Sequence, residues 1–307
     1  MNILVYGIGA MGSIYATLLS KAGNNVYVVD KWQDHIKAIQ EKGLKVEGAS
    51  GHNLTTNLIA SHLVPQKINF DLIIVSTKAS GVESAGFDIK NIINNNTLVL
   101  TIQNGLGSSD EIINFIPQRN ILLGVADGFG ASIIEPGHIH HNSMKLIRIG
   151  EFSGDISKRL KLIESILIGA GFNVKAFENI KQLIWEKFIC NVTFSAPCTV
   201  YNCTVGELMK SKQLWRVAIG CTKEAYEIAR LKNVPLSFND PIKYVKEFGE
   251  KMPNAKPSML LDHISKRKSE INFINGRVEI MGKELNIETP YNFMMSTIVR
   301  RMEEKFL

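Results

Sequence analysis

The chain has 307 residues, of which 45% are hydrophobic and 21% are charged, a composition typical of a globular protein rather than a disordered or fibrous one. This length exceeds what one hydrophobic core usually supports, so it predicts two domains. No apolar run approaches the roughly 18 residues that a membrane helix needs, and the first strand follows the initial Met1 without a basic signal segment. We therefore expect a soluble, cytoplasmic protein with no membrane partner.

The four cysteines and the net charge of +6 argue against two further classes of protein. The cysteines, at positions 190, 198, 203 and 221, lack the paired spacing of a metal site and lie in a stretch with a helical pattern. We expect them to be reduced and mostly buried. The basic residues are dispersed, and the densest groups, Lys266–Lys268 and Arg300–Arg301, resemble solvent-exposed helix faces. No nucleic-acid partner is expected, although the positive charge would favour an anionic substrate.

The first half of the chain alternates short β-branched segments with helical ones. The predicted segments are, in order, a strand Asn2–Tyr6, a helix Ala10–Ala22, strands Asn25–Val29, Asp71–Val75 and Thr97–Ile102, a helix from about Ser108 to Phe115, and a strand Ile121–Val125. Strands Asp71–Val75 and Thr97–Ile102 are apolar over most of their length, as in a parallel sheet buried on both faces. This alternation predicts a Rossmann-type α/β domain with a doubly wound sheet. Glycines and short strands between Asp127 and Glu151 predict an antiparallel addition at its edge.

The strand pattern disappears from about Glu178, and an all-α C-terminal domain is predicted there. Its predicted amphipathic segments are Glu178–Phe194, Val205–Lys232, Ser237–Lys251, Ser258–Met281 and Pro290–Lys305. The expected domains are therefore residues 1–177, which would bind a dinucleotide, and residues 178–307, which would bind the substrate. Several apolar helix faces are compatible with a homodimer, although the sequence does not identify the face involved.

A G-x-G-x-x-G motif lies directly between the first predicted strand and helix, formed by Gly7, Ile8, Gly9, Ala10, Met11 and Gly12. In this context the first glycine permits a tight turn, the second lets a pyrophosphate approach the backbone, and the third allows the helix to pack against the strand. The helix N-terminus then offers unpaired N–H groups to the phosphates. A strand–helix turn without a ligand is the alternative, but the order and position of the motif favour dinucleotide binding.

The residues after the second strand bear on the choice between NADH and NADPH. Asp30 ends this strand, where an acidic residue binds the ribose 2′-hydroxyl and repels a 2′-phosphate. Lys31 follows and would have the opposite effect. Asp30 could also serve only as a cap for the helix expected near Trp32. The sequence therefore favours NADH without excluding NADPH.

In the helical half, Lys187, Asn191 and Ser195 recur at intervals of four residues and so share one helix face. A cation and two hydrogen-bonding side chains suit a substrate that carries a carboxylate, although a solvent-facing lysine with incidental polar neighbours would look similar. His138, His140 and His141 alternate on a predicted strand without a carboxylate at ligand spacing, so we expect no metal site. No Ser-His-Asp pattern surrounds Ser195, so nucleophilic serine chemistry is not expected.

Six motifs occur in order along the chain: the glycine motif, Ser76-Thr77-Lys78-Ala79, Gln103-Asn104-Gly105, Trp185-x-Lys187-x-x-x-Asn191, Pro257-Ser258-Met259 and Glu270-Ile271-Asn272-Phe273-Ile274-Asn275-Gly276. Together they resemble the ketopantoate reductase family, and the resemblance extends from Asn2 to about Met302. The last motif is the most specific of the six. The resemblance implies a 2-dehydropantoate 2-reductase, which uses NADPH or NADH to reduce a 2-oxo acid to a 2-hydroxy acid during coenzyme A synthesis.

The resemblance also implies roles for individual residues. Lys187 would be the general acid that protonates the substrate carbonyl oxygen as hydride arrives. Hydride addition places negative charge on this oxygen, and the reaction must stabilise that charge. Glu270 would act beside it and bind a substrate hydroxyl. The other substrate residues would be Asn191, Ser195, Ser258 and Asn104, and Lys78, Asn104 and Glu270 would join the cofactor site formed by the glycine motif, Asp30 and Lys31.

Two positions depart from the family pattern. Ser195 stands where these enzymes usually carry a second asparagine, and Asp30 precedes the basic Lys31. Both departures point toward relatives that reduce other branched or aromatic 2-oxo acids with NADH. A non-catalytic, cofactor-sensing protein is a further alternative, but Lys187 and Glu270 would have no purpose in one. The sequence leaves the physiological 2-oxo acid, the preferred cofactor and the oligomeric state open.

Overall fold

The computed structural model describes residues 1–306, and the chain divides into two compact units. The first unit comprises residues 1–103 and 108–180, and the second comprises residues 104–107 together with those from Lys181 onward. Each unit has its own cluster of buried apolar side chains. Within residues 1–306, no helix is long and apolar enough to cross a membrane.

The strands of the described residues all lie in the first unit. They are β1 (Asn2–Tyr6), β2 (Asn25–Val29), β3 (Leu44–Gly48), β4 (Asn53–Thr55), β5 (Ile59–Ser61), β6 (Leu72–Val75), β7 (Leu98–Thr101), β8 (Ile121–Asp127), β9 (Gly130–Glu135), β10 (His138–Ser143), β11 (Leu146–Glu151) and β12 (Val174–Ala176).

The α-helices of the same residues are α1 (Ala10–Lys21), α2 (Gln33–Lys42), α3 (Val82–Ile89), α4 (Ser108–Ile112), α5 (Lys158–Gly169), α6 (Ile180–Tyr201), α7 (Val205–Lys210), α8 (Lys212–Leu231), α9 (Pro241–Glu250), α10 (Ser258–Ile264), α11 (Asn275–Glu284) and α12 (Pro290–Glu303). Short 3-10 turns connect several of them, including Ile271–Phe273 before α11.

The main sheet has the strand order β12-β11-β8-β7-β6-β1-β2-β5. Its strands from β8 to β5 are parallel, whereas β11 runs antiparallel to β8 and β12 runs parallel to β11. The predicted Rossmann-type α/β fold is confirmed. Tyr6 is in register with Val29 on one side and Val75 on the other, so β1, β2 and β6 end in one row. The loops after these strands therefore meet at one edge, where open α/β sheets bind ligands.

The expectation of an antiparallel addition at the sheet edge is wrong in part. Strands β9 and β10 form a separate sheet with β3 and β4, in the order β4-β3-β10-β9. Only β11 of this region joins the main sheet, and it is not an edge strand because β12 pairs with its other side. Ile139 of β10 pairs with Val46 of β3, and both are completely buried. An alternating pattern identifies the buried face of a strand but not the strand beside it, so the partner could not be predicted.

The second unit is helical, as predicted, although several boundaries differ. Helix α6 does not end before Pro197 but continues through it to Tyr201. Side chains from Phe188 to Thr199 are almost all buried, and this packing keeps the helix intact despite the missing N–H of the proline. The predicted helix 205–232 is two helices that meet at Ser211, whose hydroxyl accepts a bond from the Leu214 N–H. The predicted helix 258–281 is interrupted between Ile264 and Asn275.

Candidate active site

The glycine motif forms the loop between β1 and α1. Gly7 has a φ of +92°, and a Cβ there would lie 2.5 Å from the backbone nitrogen of Thr77. A Cβ at Gly12 would lie 2.0 Å from the Gly7 carbonyl oxygen. By contrast, a Cβ at Gly9 would meet no heavy atom within 4 Å. The outer two glycines are therefore required by packing, whereas Gly9 leaves open space against the backbone, which fits a pyrophosphate. Ile8 is buried, and Ala10 and Met11 form the first turn of α1.

Two hydroxyl groups hold this loop in place. The Ser76 hydroxyl, directly after β6, donates to the Gly7 carbonyl oxygen at 2.8 Å. The Ser13 hydroxyl in α1 is completely buried and donates to the Ile8 carbonyl oxygen at 3.1 Å. Sequence reasoning assigned neither residue a role. The sequence feature that could have identified Ser76 was its position immediately beyond a parallel strand.

A buried histidine supports Ser13. His35 of α2 accepts a bond from the Gly137 N–H at its Nδ1 atom, 2.9 Å away, so the ring proton resides on Nε2. That nitrogen lies 3.4 Å from the Ser13 hydroxyl oxygen. Burial lowers the pKa of His35, which keeps the ring neutral. A series of hydrogen bonds thus runs from Gly137 through His35 and Ser13 to the glycine loop. Nothing in the local sequence pattern indicated these contacts.

The end of β2 shows how Asp30 and Lys31 are used. Asp30 is half-buried, and its Oδ1 atom accepts a bond from the Trp32 N–H at 2.9 Å, closing the turn before α2 begins at Gln33. This bond does not use the second carboxylate oxygen. Lys31 is exposed, and its ammonium group donates to the Ser84 hydroxyl at 2.7 Å. Asp30 therefore does stabilise the local turn while retaining an oxygen for another partner.

Lys78 and Gln103 follow the ends of β6 and β7. Lys78 is exposed and precedes a 3-10 turn at Ala79–Gly81. The side-chain amide of Gln103 donates to the carbonyl oxygens of Val75 and Thr77, at 2.6 and 3.3 Å. Gln103 thereby fixes the loop that leads to Lys78, a role that sequence reasoning did not assign.

In the second unit, Lys187, Asn191 and Ser195 all lie in α6. Lys187 and Asn191 are half-buried, and Ser195 is 3% exposed. The Lys187 ammonium donates to the Asn104 side-chain oxygen at 2.9 Å. The structure therefore brings together two of the predicted site residues from motifs that are far apart in the chain.

The position of Asn104 depends on the Glu270–Gly276 segment. The Leu106 N–H donates to the Phe273 carbonyl oxygen at 2.9 Å. Gly105 has a φ of +85°, and a Cβ there would lie 2.3 Å from that same oxygen. The close approach explains why Asn104 is followed by glycine and why residues 104–107 belong to the second unit.

The remaining predicted residues lie on two further segments of this unit. Glu270 is half-buried, and its carbonyl oxygen accepts the Phe273 N–H at 2.9 Å, at the start of the 3-10 turn. Ile271 and Ile274, each 1% exposed, anchor that turn in the core. Ser258 is the exposed first residue of α10.

Among residues 1–306, no group of three or more histidine, cysteine, aspartate or glutamate side chains is arranged to hold a metal ion. His138 of β10 instead faces Glu47 of β3, with 3.2 Å between its Nε2 atom and the carboxylate.

Both parts of the chain match models of one enzyme family. Residues 3–154 match the model described as ketopantoate reductase PanE/ApbA, and residues 179–303 match its C-terminal counterpart. The chain belongs to the ketopantoate reductase family. The 2-dehydropantoate 2-reductase of Streptococcus pyogenes serotype M3 is 33% identical over 304 residues, which cover 99% of this chain and 98% of the relative. That of Lactococcus lactis is 32% identical over 312 residues, with the same coverage.

A solved structure of D-mandelate dehydrogenase is also similar to this chain. It was determined with NADH and anilino(oxo)acetate, and it superposes with a TM-score of 0.91 at 27% identity, covering 100% of this chain and 99% of that one.

Proposed function

We propose that this protein is a 2-dehydropantoate 2-reductase, which reduces its substrate to pantoate with a nicotinamide dinucleotide. The observation that carries the proposal is the Lys187–Asn104 hydrogen bond, which joins two family motifs in a chain similar over its full length to enzymes of that name. The reaction converts a ketone to an alcohol, so it needs a hydride donor and a proton donor.

Lys187 is the proton donor in this proposal. Addition of hydride to the substrate places negative charge on the carbonyl oxygen, and a nearby ammonium both stabilises this charge and supplies the proton. The Asn104 side-chain oxygen accepts one of the ammonium protons and so restricts where the other two can point. Half-burial of Lys187 limits its motion further.

The neighbouring polar residues bind the rest of the substrate. We assign Asn191 and Ser195, on the same helix as Lys187, to hydrogen bonds with the hydroxyl and carboxylate groups of the substrate. We assign Ser258 to the carboxylate and Glu270 to the substrate hydroxyl, as in the family to which the chain belongs.

The bound dinucleotide supplies the hydride. The open space at Gly9 and the N-terminus of α1 would hold its pyrophosphate, and Lys78 would add a positive charge. At the end of β2, Asp30 would accept bonds from the adenosine ribose. The Lys31 ammonium, which would favour a 2′-phosphate, already donates a hydrogen bond to the Ser84 hydroxyl. This contact supports a preference for NADH over NADPH.

A second candidate is the reduction of a different 2-oxo acid, one with a branched or aromatic substituent. Ser195 supports it, because this side chain is shorter than the asparagine usual in ketopantoate reductases and leaves more room. The similarity to D-mandelate dehydrogenase, whose structure holds a 2-oxo compound with an aromatic ring, supports it as well.

Steady-state oxidation of NADH and NADPH by the purified enzyme distinguishes the candidates. We expect 2-dehydropantoate to give a higher kcat/KM than 2-oxoisovalerate or phenylglyoxylate. A higher value for phenylglyoxylate would favour the second candidate, and no oxidation with any of the three acids would refute both.

The cytoplasmic location and the homodimer also remain predictions, and sedimentation velocity would test the latter.

A further inference from the structure

Asn275 contacts the helix that carries Lys187, although it is not itself among the predicted site residues. It is completely buried at the start of α11. Its side-chain nitrogen donates to the Val192 carbonyl oxygen in α6 and to the side-chain oxygen of Asn292, both at 2.9 Å.

The orientation of the Asn275 amide is fixed by its partners. The Val192 carbonyl can only accept a hydrogen bond. The Asn292 oxygen is also committed as an acceptor, because the nitrogen of that amide donates to the Cys221 carbonyl and to Glu224, at 3.1 and 2.7 Å. The oxygen of Asn275 has no hydrogen-bond partner among residues 1–306. A buried polar atom without a partner lowers the stability of the folded state. The stabilising contribution of the Asn275 side chain therefore comes from the two hydrogen bonds that it donates.

The Val192 carbonyl lies next to an interruption in the helical hydrogen bonds of α6. Pro197 has no N–H and cannot bond to the Thr193 carbonyl four residues earlier. The Thr193 hydroxyl donates to the Ile189 carbonyl at 2.8 Å, a side-chain bond of the kind that bends helices. The segment that carries Asn191 and Ser195 therefore has fewer helical constraints than the rest of α6.

We propose that Asn275 is a positioning residue, whose bond to the Val192 carbonyl sets the direction of α6 between Asn191 and Ser195. This inference rests on the proposed function, because those two residues are the ones assigned to the substrate. Two residues before Asn275, the Phe273 carbonyl holds the loop that carries Asn104. One short segment thus positions both α6 and the partner of Lys187.

The test compares Asn275→Ala with Asn292→Ala. Both substitutions remove bonds from the same buried network, so both should lower Tm, but only the first removes the bond to α6. We expect Asn275→Ala to lower kcat about 10- to 100-fold at a temperature well below Tm, because small displacements of positioning groups have effects of this size. Asn292→Ala should leave kcat close to that of the wild type. Amide hydrogen exchange at residues 190–199 should accelerate only in Asn275→Ala.

Equal losses of kcat in the two variants, or unchanged exchange in α6 of Asn275→Ala, would overturn the proposal. If Asn275→Ala does not fold, Asn275→Ser retains one hydroxyl donor and should show a smaller change in the same direction. If the wild type reduces no 2-oxo acid, the proposed function fails, and the exchange measurement still decides whether Asn275 holds α6.

Discussion

Lys187 is a charged residue whose ammonium group has a defined hydrogen-bond partner, Asn104. Its ammonium donates to the Asn104 side-chain oxygen at 2.9 Å. An unrestrained lysine would sample many rotamers, and this bond selects among them before substrate arrives. The observed contact therefore restricts the position of the ammonium group.

The replacement of Lys187 by alanine should abolish most of the activity. We expect Lys187→Ala to lower kcat by about 10²–10⁴-fold, the usual effect of removing a positioned acid. Calorimetric binding of NADH should be preserved, because the glycine loop is unchanged. Lys223→Ala is the matched control, since Lys223 is an exposed lysine in helix α8 of the same unit. Undiminished turnover in Lys187→Ala would rule out its role as the acid.

Asp30 closes the turn before α2, and we predict that it also binds the cofactor; one substitution can separate these two functions. Asp30→Asn keeps an oxygen for the Trp32 N–H but removes the negative charge. We expect the ratio of kcat/KM for NADPH to that for NADH to rise on the order of five-fold, because two unit charges 4 Å apart in water repel by about 1 kcal/mol. Asp30→Ala would remove both functions and serves as the comparison. If the ratio stays the same in Asp30→Asn, the carboxylate only closes the turn.

At the scale of elements, the segments that carry the predicted site are held by hydrogen bonds to backbone carbonyl groups. The Asn104–Gly107 loop attaches to the Phe273 carbonyl, and the space between them leaves no room for a side chain. In the first unit, the glycine loop depends similarly on Ser76 and Ser13. Each of these loops is thus shaped by residues outside the predicted site.

A methyl group at Gly105 should displace the loop. Gly105→Ala would place Cβ 2.3 Å from the Phe273 oxygen and would also require a left-handed conformation. We expect kcat to fall about 10- to 100-fold, because Asn104 moves away from Lys187. Gly171→Ala is the matched control, since Gly171 also has a positive φ, +93°, but has nothing within 4 Å. Both variants should lose stability, and equal kcat values would contradict the expectation.

At the scale of the whole molecule, we expect an ion pair with a buried carboxylate to influence how the stability of the protein responds to acid. Glu151, 3% exposed, accepts bonds from the Arg159 guanidinium at 2.8 and 2.6 Å and a short bond from the Ser157 hydroxyl. Burial by itself would raise the pKa of the Glu151 carboxyl. The bonds from Arg159 and Ser157 outweigh this effect and hold the pKa below its usual range.

The stability that Glu151 provides should therefore depend on pH. Because its pKa is lower in the folded state, the contribution is present above the unfolded value of 4.5 and is lost as the pH falls through the folded value. We expect Glu151→Gln to lower the free energy of unfolding by about 1.5–3 kcal/mol at pH 7, the range for hydrogen bonds to charged groups. Urea denaturation at several pH values should show the difference shrinking in acid.

Glu250→Gln is the control for this measurement. Glu250 forms an exposed pair with Lys246 at 3.8 Å, and exposed pairs contribute little. A loss of stability in Glu151→Gln that is the same at every pH would show that packing, rather than charge, is responsible.

Local patterns were sufficient to predict part of this architecture. The glycine loop, the alternation of strands and helices, and the spacing of Lys187, Asn191 and Ser195 are properties of neighbouring residues, and the structure shows all three. The prediction that α6 ends before Pro197 failed because burial on all sides outweighs the preference of one residue. The pairing of β10 with β3 was missed because alternation does not encode the neighbouring strand.

The sequence alone therefore determined the class of fold, the position of the glycine loop and the helix that carries Lys187, since each depends on spacing over a few residues. Only the tertiary structure decided the partner of each group. Asn104 and Lys187 are 83 residues apart in the chain, and Asn275 and Val192 are also 83 apart. No local periodicity reports contacts at such distances, because they arise only when separate elements pack and their buried polar groups find hydrogen-bond partners.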